Sequence, residues 1–210
     1  MSIAQSPLLG PMRKSMGNFT MYSYNGMNIV RSKAFKVKDA KTKKQLNVRA
    51  RISGLGVKYR YFSPVLALGF PENSDYKSPQ NMFVSANFST AFETIDEQPV
   101  LSYPLMLISK GSLPEVKVTE VTIEKEAIII GYDVAAMLPD MTATDEIIAC
   151  ARLKDGELLI VRQILGFVTT GTVLLKYPDL LIDDVDCCYL FVRSGDGKKT
   201  SNSVFVEVKG

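Results

Sequence analysis

From Pro99 onward the chain falls into short β-rich runs divided by turn residues. The eight runs are "YPLMLIS", "VKVTEVTIE", "AIIIGYDV", "DEIIACARL", "ELLIVRQI", "GTVLLKY", "DCCYLFVRS" and "SNSVFVEV". A spacing of about ten residues per strand suits two stacked antiparallel sheets and leaves little room for anything else. An immunoglobulin- or fibronectin-like β-sandwich is therefore predicted for residues 99–210, able to fold alone. Asp155-Gly156 marks a tight hairpin, because a two-residue turn needs positions that accept positive φ. "SGDGKKTSN" reads as a longer loop before the last strand. In "VTEVTIEK", Val118, Thr119, Val121 and Ile123 alternate imperfectly. In "CYLFV", period-two geometry sends Cys188, Leu190 and Val192 to the core. Cys187, Tyr189 and Phe191 then point outward or toward a neighbour. The immunoglobulin Cys…Trp…Cys signature is absent, since the chain has no Trp.

The first 98 residues have a different texture. Phe19 to Tyr24 and Met27 to Val30 flank Asn25-Gly26, which reads as a β-hairpin. A basic linker follows. Thr42-Lys43-Lys44-Gln45 has the S/T-x-x-E/Q form of a capping box, so a helix is expected to start there. Leu46, Ala50, Ser53, Val57, Tyr61 and Val65 recur at spacings of three and four and are assigned to its inner face. Lys44, Arg51 and Lys58 recur every seven and are placed opposite, toward solvent. Gly54 and Gly56 each weaken a helix by about 1 kcal/mol, which suggests a kink or break. Ser78-Pro79 opens a second helix, with Met82, Phe83, Ala86 and Phe92 inward. "FPENSDYK" between the helices reads as a loop. The fold class is thus α+β: a hairpin and two helices over residues 1–98, then the sandwich over 99–210.

Charge is distributed unevenly along the chain. Residues 1–70 carry 13 Lys or Arg and one acid, while residues 71–210 carry 12 basic and 21 acidic residues. The stretch "RSKAFKVKDAKTKKQLNVRAR" holds nine Lys or Arg against Asp39. A basic head on an acidic body marks either a polyanion-binding end or the mutual attraction of neighbouring subunits. The candidate contact residues are Arg31, Lys33, Lys36, Lys38, Lys41, Lys44, Arg51 and Lys58. Ordinary solvated surface accounts for those on the helix. The pre-helix residues fit an extended basic arm or an edge strand guarded by Lys. Tyr22, Tyr24, Tyr59, Tyr61 and Phe62 lie among the bases, where aromatics can stack on nucleobases. Hairpin and core packing is their commoner use.

Several kinds of chemistry are disfavoured by composition. The chain has no His, which removes the commonest general base and metal ligand. Ser-His-Asp and Cys-His pairs cannot form within it, and Cys150, Cys187 and Cys188 do not have zinc-site spacing. Asp183, Asp184 and Asp186 in "IDDVD" are oxygen donors of the type Ca²⁺ takes, but the full Ca²⁺ loop is missing and a polar turn explains them better. "SGLG" lacks the surroundings of a phosphate loop. No cofactor and no enzymatic activity are expected. Three cysteines give no disulfide framework and suit a reducing compartment. No run of 18 apolar residues occurs, so no helix is expected to span a membrane. The N-terminus lacks the apolar core of a general secretory signal peptide, which leaves cytoplasm or virion as the expected location. The acceptor patterns at Asn18 and Asn87 carry little weight without secretion.

Three segments carry a resemblance. "NGMNIVRSKAFKVKDAKTKKQLNVRARI" is similar to a VRSK…T..Q…RA motif, with Ala34 where a Pro is usual and no Trp before Asn25-Gly26. "LMLISKGSLP" and "CYLFVRSGDGKKTSNSVFV" are similar to two further motifs. Together they resemble an uncharacterised family of unknown function common in Bacteroidota. The resemblance implies a helical N-terminal part and a C-terminal β-sandwich, and brings no catalytic residues. The leading expectation is a non-enzymatic structural or protein-binding subunit, of the kind found in phage or phage-like particles, whose partner is protein: a homo-oligomer or a larger assembly. The alternative is a nucleic-acid-binding accessory protein that uses the basic N-terminal region.

Overall fold

A computed structural model describes residues 2–4, 14–24, 26–33, 39–71, 78–95, 98–124, 127–134, 142–166, 170–178 and 184–208. The chain divides into two compact units, Met1–Thr42 and Lys43–Gly210. In the first unit, β1 (Ser2–Ala4), β2 (Lys14–Met16), β3 (Phe19–Tyr24) and β4 (Met27–Ser32) form an antiparallel sheet in the order β1-β4-β3-β2. The expected hairpin is β3–β4, with Gly26 at φ 74° in its turn. Asn25 lies outside the described residues. Cross-strand pairs Met21–Val30 and Tyr22–Ile29 put apolar side chains on both faces. Among the described residues from Lys14 to Lys33, Ile29 is the only buried hydrophobic residue, while Met16, Phe19 and Tyr24 are exposed.

The second unit is built on two antiparallel sheets. One contains β7 (Val116–Glu124), β8 (Ala127–Val134) and β11 (Thr170–Lys176) in the order β11-β8-β7. The other contains β9 (Glu146–Leu153), β10 (Leu158–Ile164), β12 (Val185–Arg193) and β13 (Val204–Val206) in the order β10-β9-β12-β13. Their facing side chains make one apolar cluster, including Ile128, Ile130 and Val173 from the first sheet and Ile147, Ala149, Cys188, Leu190 and Val192 from the second. The imperfect alternation of "VTEVTIEK" is a β-bulge: register shifts between Val118 and Glu120, opposite Gly131. A Cβ on Gly131 would sit 2.7 Å from Thr119 Oγ1, so glycine makes room for the bulge. "YPLMLIS" is not a strand. It is a 3₁₀ turn at Tyr103–Leu105 followed by irregular chain. Tyr103-Pro104 favours this, because Pro cannot donate to a ladder.

The four-stranded sheet is covered on its other face as well. Ile148, Cys150, Cys187, Tyr189 and Phe191 form a second cluster with Leu55, Phe62, Val65, Leu66, Phe70 and Phe83. These come from α1 (Lys43–Gly69) and α2 (Pro79–Asn87) and the chain just beyond α1. The neighbour that Cys187, Tyr189 and Phe191 face is therefore the helix pair of the same chain. Phe62 meets Tyr189 edge-on at 6.1 Å between ring centroids. The expected boundary near residue 98 falls inside this unit, at β6 (Gln98–Leu101), which pairs with β5 (Phe92–Ile95). The α+β class holds, with two helices and antiparallel sheets.

Both helices start where predicted. α1 begins directly after Thr42, and Ser78 Oγ accepts a hydrogen bond from Asn81 N at the start of α2. Phe92 belongs to β5 and packs on the second cluster from there. The facing of α1 differs from expectation. Leu46, Ala50, Ser53, Val57 and Tyr61 are exposed, and of the predicted inner stripe only Val65 is buried. Leu55, Phe62, Val65, Leu66 and Gly69 are buried instead, and Arg51 and Lys58 lie half-buried on that side. α1 carries apolar residues all round, so periodicity offered two stripes, and contact with the sheet selected one. There is no break at Gly54 or Gly56, because Leu55 between them is fully buried and anchors the turn.

The motifs "ISKGSLP" and "SNSVFV" meet in space. Ser109 Oγ donates to Ser201 O at 2.7 Å, and Ser203 N donates to Ser109 O at 3.1 Å. Ile108 N donates to Ser203 Oγ, and Val192 N to Ser201 Oγ, both at 2.9 Å. Thr200 Oγ1 donates to Gly69 O at the end of α1. The hydroxyls satisfy buried backbone groups where strand pairing stops. A Cβ at Gly69 would lie 2.2 Å from Ile108 O, and one at Gly111 would lie 2.0 Å from Thr200 O. Only glycine allows these segments to approach so closely.

Two outcomes follow from this packing. Gly56 has open space around its Cβ position, so Gly56→Ala should raise stability by up to about 1 kcal/mol. Gly111→Ala should lower it by about 1–3 kcal/mol. Urea midpoints measure both, and equal midpoints for the two variants would contradict the close approach. A fragment starting at Lys43 should unfold cooperatively. One starting at Pro99 should expose the Cys187–Tyr189–Phe191 face and bind a hydrophobic dye. A dye-silent, cooperatively unfolding Pro99 fragment would show that the helices are dispensable.

Candidate functional site

The predicted contact residues serve different purposes. In the first unit, Arg31 is exposed and stands 5.8 Å from the Tyr22 ring centroid. Lys33 is exposed, and its N–H donates to Asn18 O at 2.7 Å. Lys41 is exposed and takes a left-handed φ of 45° just before α1. Lys36 and Lys38 lie outside the described residues. In the second unit, Lys44 is exposed on the first turn of α1. Arg51 Nη1 donates to Phe88 O and Arg51 Nε to Asn47 Oδ1, each at 3.0 Å. The Arg51 guanidinium also stands 5.3 Å from the Phe92 ring centroid. Arg51 therefore fastens α1 to the end of α2 and to β5, with its guanidinium half-buried.

Lys58 belongs to a polar cluster that was not visible in the sequence. The cluster has one member each from α1, the 3₁₀ turn, β9 and β12. Lys58 Nζ donates to the Tyr103 hydroxyl. That hydroxyl donates to Asp186 Oδ2 at 2.8 Å. Arg152 Nη1 donates to both, at 3.1 Å each. The Arg152 guanidinium lies 4.2 Å from the Tyr61 ring centroid, a cation–π distance. Tyr189 donates to Tyr103 O at 2.9 Å. Arg152 shares a strand face with Ile148 and Cys150, so it points toward the helices. Asp186 is the extra residue of a bulge between Val185 and Cys187, which aims its carboxylate at Arg152. A run of acids in "IDDVD" could not disclose that bulge.

The electrostatics follow from partial burial. Burial holds Lys58 below its ordinary value, with Arg152 adding to the effect and Asp186 opposing it. Burial raises Tyr103, assisted by its hydrogen bond to Asp186. The Arg152 and Asp186 side chains are 12% and 28% exposed, so water screens their ion pair only in part. Lys58 Nζ, the Tyr103 hydroxyl, Arg152 Nη1 and Asp186 Oδ2 are each bonded to another member of the cluster, while Arg152 Nε is buried without a partner among the described residues; the arrangement is that of a clamp between helix and sheet. Asp184 O accepts from Lys154 N at 2.8 Å, and Asp183 lies outside the described residues. Among the described residues no three His, Cys, Asp or Glu side chains gather as metal ligands. Cys150, Cys187 and Cys188 are free thiols, and all are buried. Two open clefts lie along α1. One of about 540 Å³ is lined by Ile52, Asn81, Val84 and Phe88 among others. The other, about 500 Å³, is lined by Lys43, Lys44, Asn47 and Val48. Among the described residues no helix is long and apolar enough to cross a membrane.

These features define an α+β protein of two units whose basic helix is clamped to a sheet by a Lys-Tyr-Arg-Asp cluster. The chain belongs to the family of unknown function DUF6266, whose pattern matches residues 11–207. No curated protein and no solved structure matches it.

Burial also sets a pH dependence. The Cys187 thiol is pushed up to about 12, first by burial and then by Asp186. Burial likewise raises Cys150, Cys188, Tyr103 and Tyr189. In the unfolded chain thiols ionise near 9.0 and phenols near 10.0. Above those values the unfolded chain has lost protons that the folded chain keeps, so stability falls as pH rises. Lys58, lowered on folding, works in the opposite direction but is a single group. The urea midpoint should be lower at about pH 10.5 than at about pH 7, and Cys187→Ala should shrink the difference. An unchanged midpoint would argue against these buried placements.

Proposed function

We propose that the protein is a non-enzymatic structural or protein-binding subunit that assembles with copies of itself, as a component of a phage or phage-like particle would. The observation that carries this reading is the sheet of residues 2–32. Its described residues include one buried hydrophobic side chain, Ile29, against exposed Met16, Phe19 and Tyr24. A small sheet in which β2, β3 and β4 bury one side chain is marginal in water, and a partner surface is the usual remedy. Among the described residues β1 and β2 each pair with one neighbour, and an edge of that kind can accept another strand. The paired sheets of the second unit support the same reading. We take them as a fibronectin-like sandwich: lettered A, B, C, C′, E, F and G in chain order, the strands fall into A-B-E and C′-C-F-G sheets, all antiparallel. Domains of this shape serve commonly as binding and assembly modules. Cytoplasm or virion is the location this reading assigns.

The runner-up is a nucleic-acid-binding accessory protein, which the Lys43- and Lys44-lined cleft favours. Sizing by light scattering separates the two. The parent protein should self-associate, and deletion of residues 1–42 or replacement of Lys33, Lys36, Lys38 and Lys41 by Gln should weaken that association. Duplex DNA should bind weakly at about 150 mM salt, where screening acts over about 8 Å. Submicromolar DNA binding at that salt, lost in the Gln variant with its size unchanged, would make the runner-up the better reading.

A further inference from the structure

We propose that the outward face of α1 docks onto the acidic corner around Tyr177 in a second copy of this chain. This rests on the self-assembly reading above and names the surfaces that meet. The face is the stripe Leu46, Ala50, Ser53, Val57 and Tyr61. Leu46 is 49% exposed, Val57 42% and Tyr61 47%. The stripe runs for about four turns, or about 22 Å at 1.5 Å per residue. An apolar helix face of that length left in water is a recognition surface of the kind that lies against a partner.

Charge selects the partner. α1 carries six Lys or Arg and no acid, so α1 of one copy repels α1 of another. Arg51 and Lys58 are turned inward, while Arg49 and Arg60 are exposed along one side of the stripe. A matching acidic surface exists on the same molecule. Asp155 and Glu157 at the β9–β10 turn and Asp184 before β12 gather round Tyr177, whose hydroxyl donates to Asp155 Oδ2 at 3.3 Å. Glu157 acts most strongly on that phenol, then its partial burial, then Asp155. Three carboxylates on one corner complement a basic surface. Tyr177 supplies an apolar ring at the centre of the corner. One surface is basic and the other acidic, so the contact is head-to-tail, and repetition closes a ring or extends a filament.

Charge exchange on the full chain tests this, read by sedimentation velocity at about 50 mM and about 500 mM salt. Arg49→Glu with Arg60→Glu should weaken association at least tenfold. Glu157→Lys with Asp155→Asn should do the same, the Asn keeping the side-chain oxygen that accepts from Glu157 N in the turn. All four changes in one chain should restore association, which a merely misfolded variant cannot do, and far-UV circular dichroism should match the parent throughout. Association untouched by either pair, yet lost on deleting residues 1–42, would overturn this docking while leaving self-assembly standing. Loss with the helix pair but not the corner pair would also overturn it, pointing to a different acidic partner. A parent that stays monomeric would overturn both readings.

Discussion

The structure depends on one sheet that is buried on both faces. Along β12 the side chains from Cys187 to Val192 alternate between two apolar clusters, and all six are at most 3% exposed. Such a strand cannot stop at a two-layer arrangement, because the second face would remain in water at about 25 cal/mol per Å² of apolar surface. The three-stranded sheet covers one face and α1 with α2 covers the other. The helices are therefore a third layer of the same body. The Lys58–Tyr103–Arg152–Asp186 cluster and the Arg51 contacts then fix where α1 lies on the sheet, since aromatic packing alone tolerates sliding.

The hydroxyl network plays a corresponding part at the other end of the body. Ser109, Thr200, Ser201 and Ser203 are buried, which would be costly if their hydroxyls lacked partners. Each is hydrogen-bonded to backbone that no ladder satisfies. Gly69 and Gly111 allow the chains close enough for these bonds to form. The two C-terminal motifs that carry the family resemblance are thus accounted for by backbone satisfaction. Ser109, Ser201 and Ser203 are bonded to buried carbonyls and amides.

How much was legible follows from which physics each element obeys. Strands β7 to β13 were readable because period-two burial and turn residues are local, and even the faulty alternation near Thr119 recorded a real bulge. The split of Cys187 from Cys188 was readable for the same reason. The facing of α1 was not, since the helix offers two stripes of similar apolarity and only the sheet beneath it chooses. The β5–β6 hairpin was missed because Phe92 looked like one more apolar residue of α2. Of the polar cluster, Lys58 had been singled out as a basic contact and Asp186 as one acid of a polar turn, but nothing joined them. Tyr103, Arg152 and Asp186 lie 45, 94 and 128 positions further along the chain, and neither spacing nor composition links them. The bulge that aims Asp186 is a tertiary fact.

The basic head also looks different once its members are placed. Counted by sequence, the run from Arg31 to Lys58 is one block of charge. In the structure Arg51 and Lys58 are held by carbonyl, phenol and ring contacts, where their charge offsets Asp186 and backbone dipoles. A cation used this way cannot also neutralise a phosphate without giving up its partner, so formal charge overstates what α1 offers to a polyanion. What α1 presents outward is an apolar stripe with Arg49 and Arg60 beside it, and Lys43 and Lys44 on its first turn. Phosphate backbones gain little from an apolar stripe, because they bind chiefly through counterion release. A protein surface gains from both the apolar and the charged parts. The outward residues thus offer an apolar stripe as well as charge, which net charge alone had not disclosed.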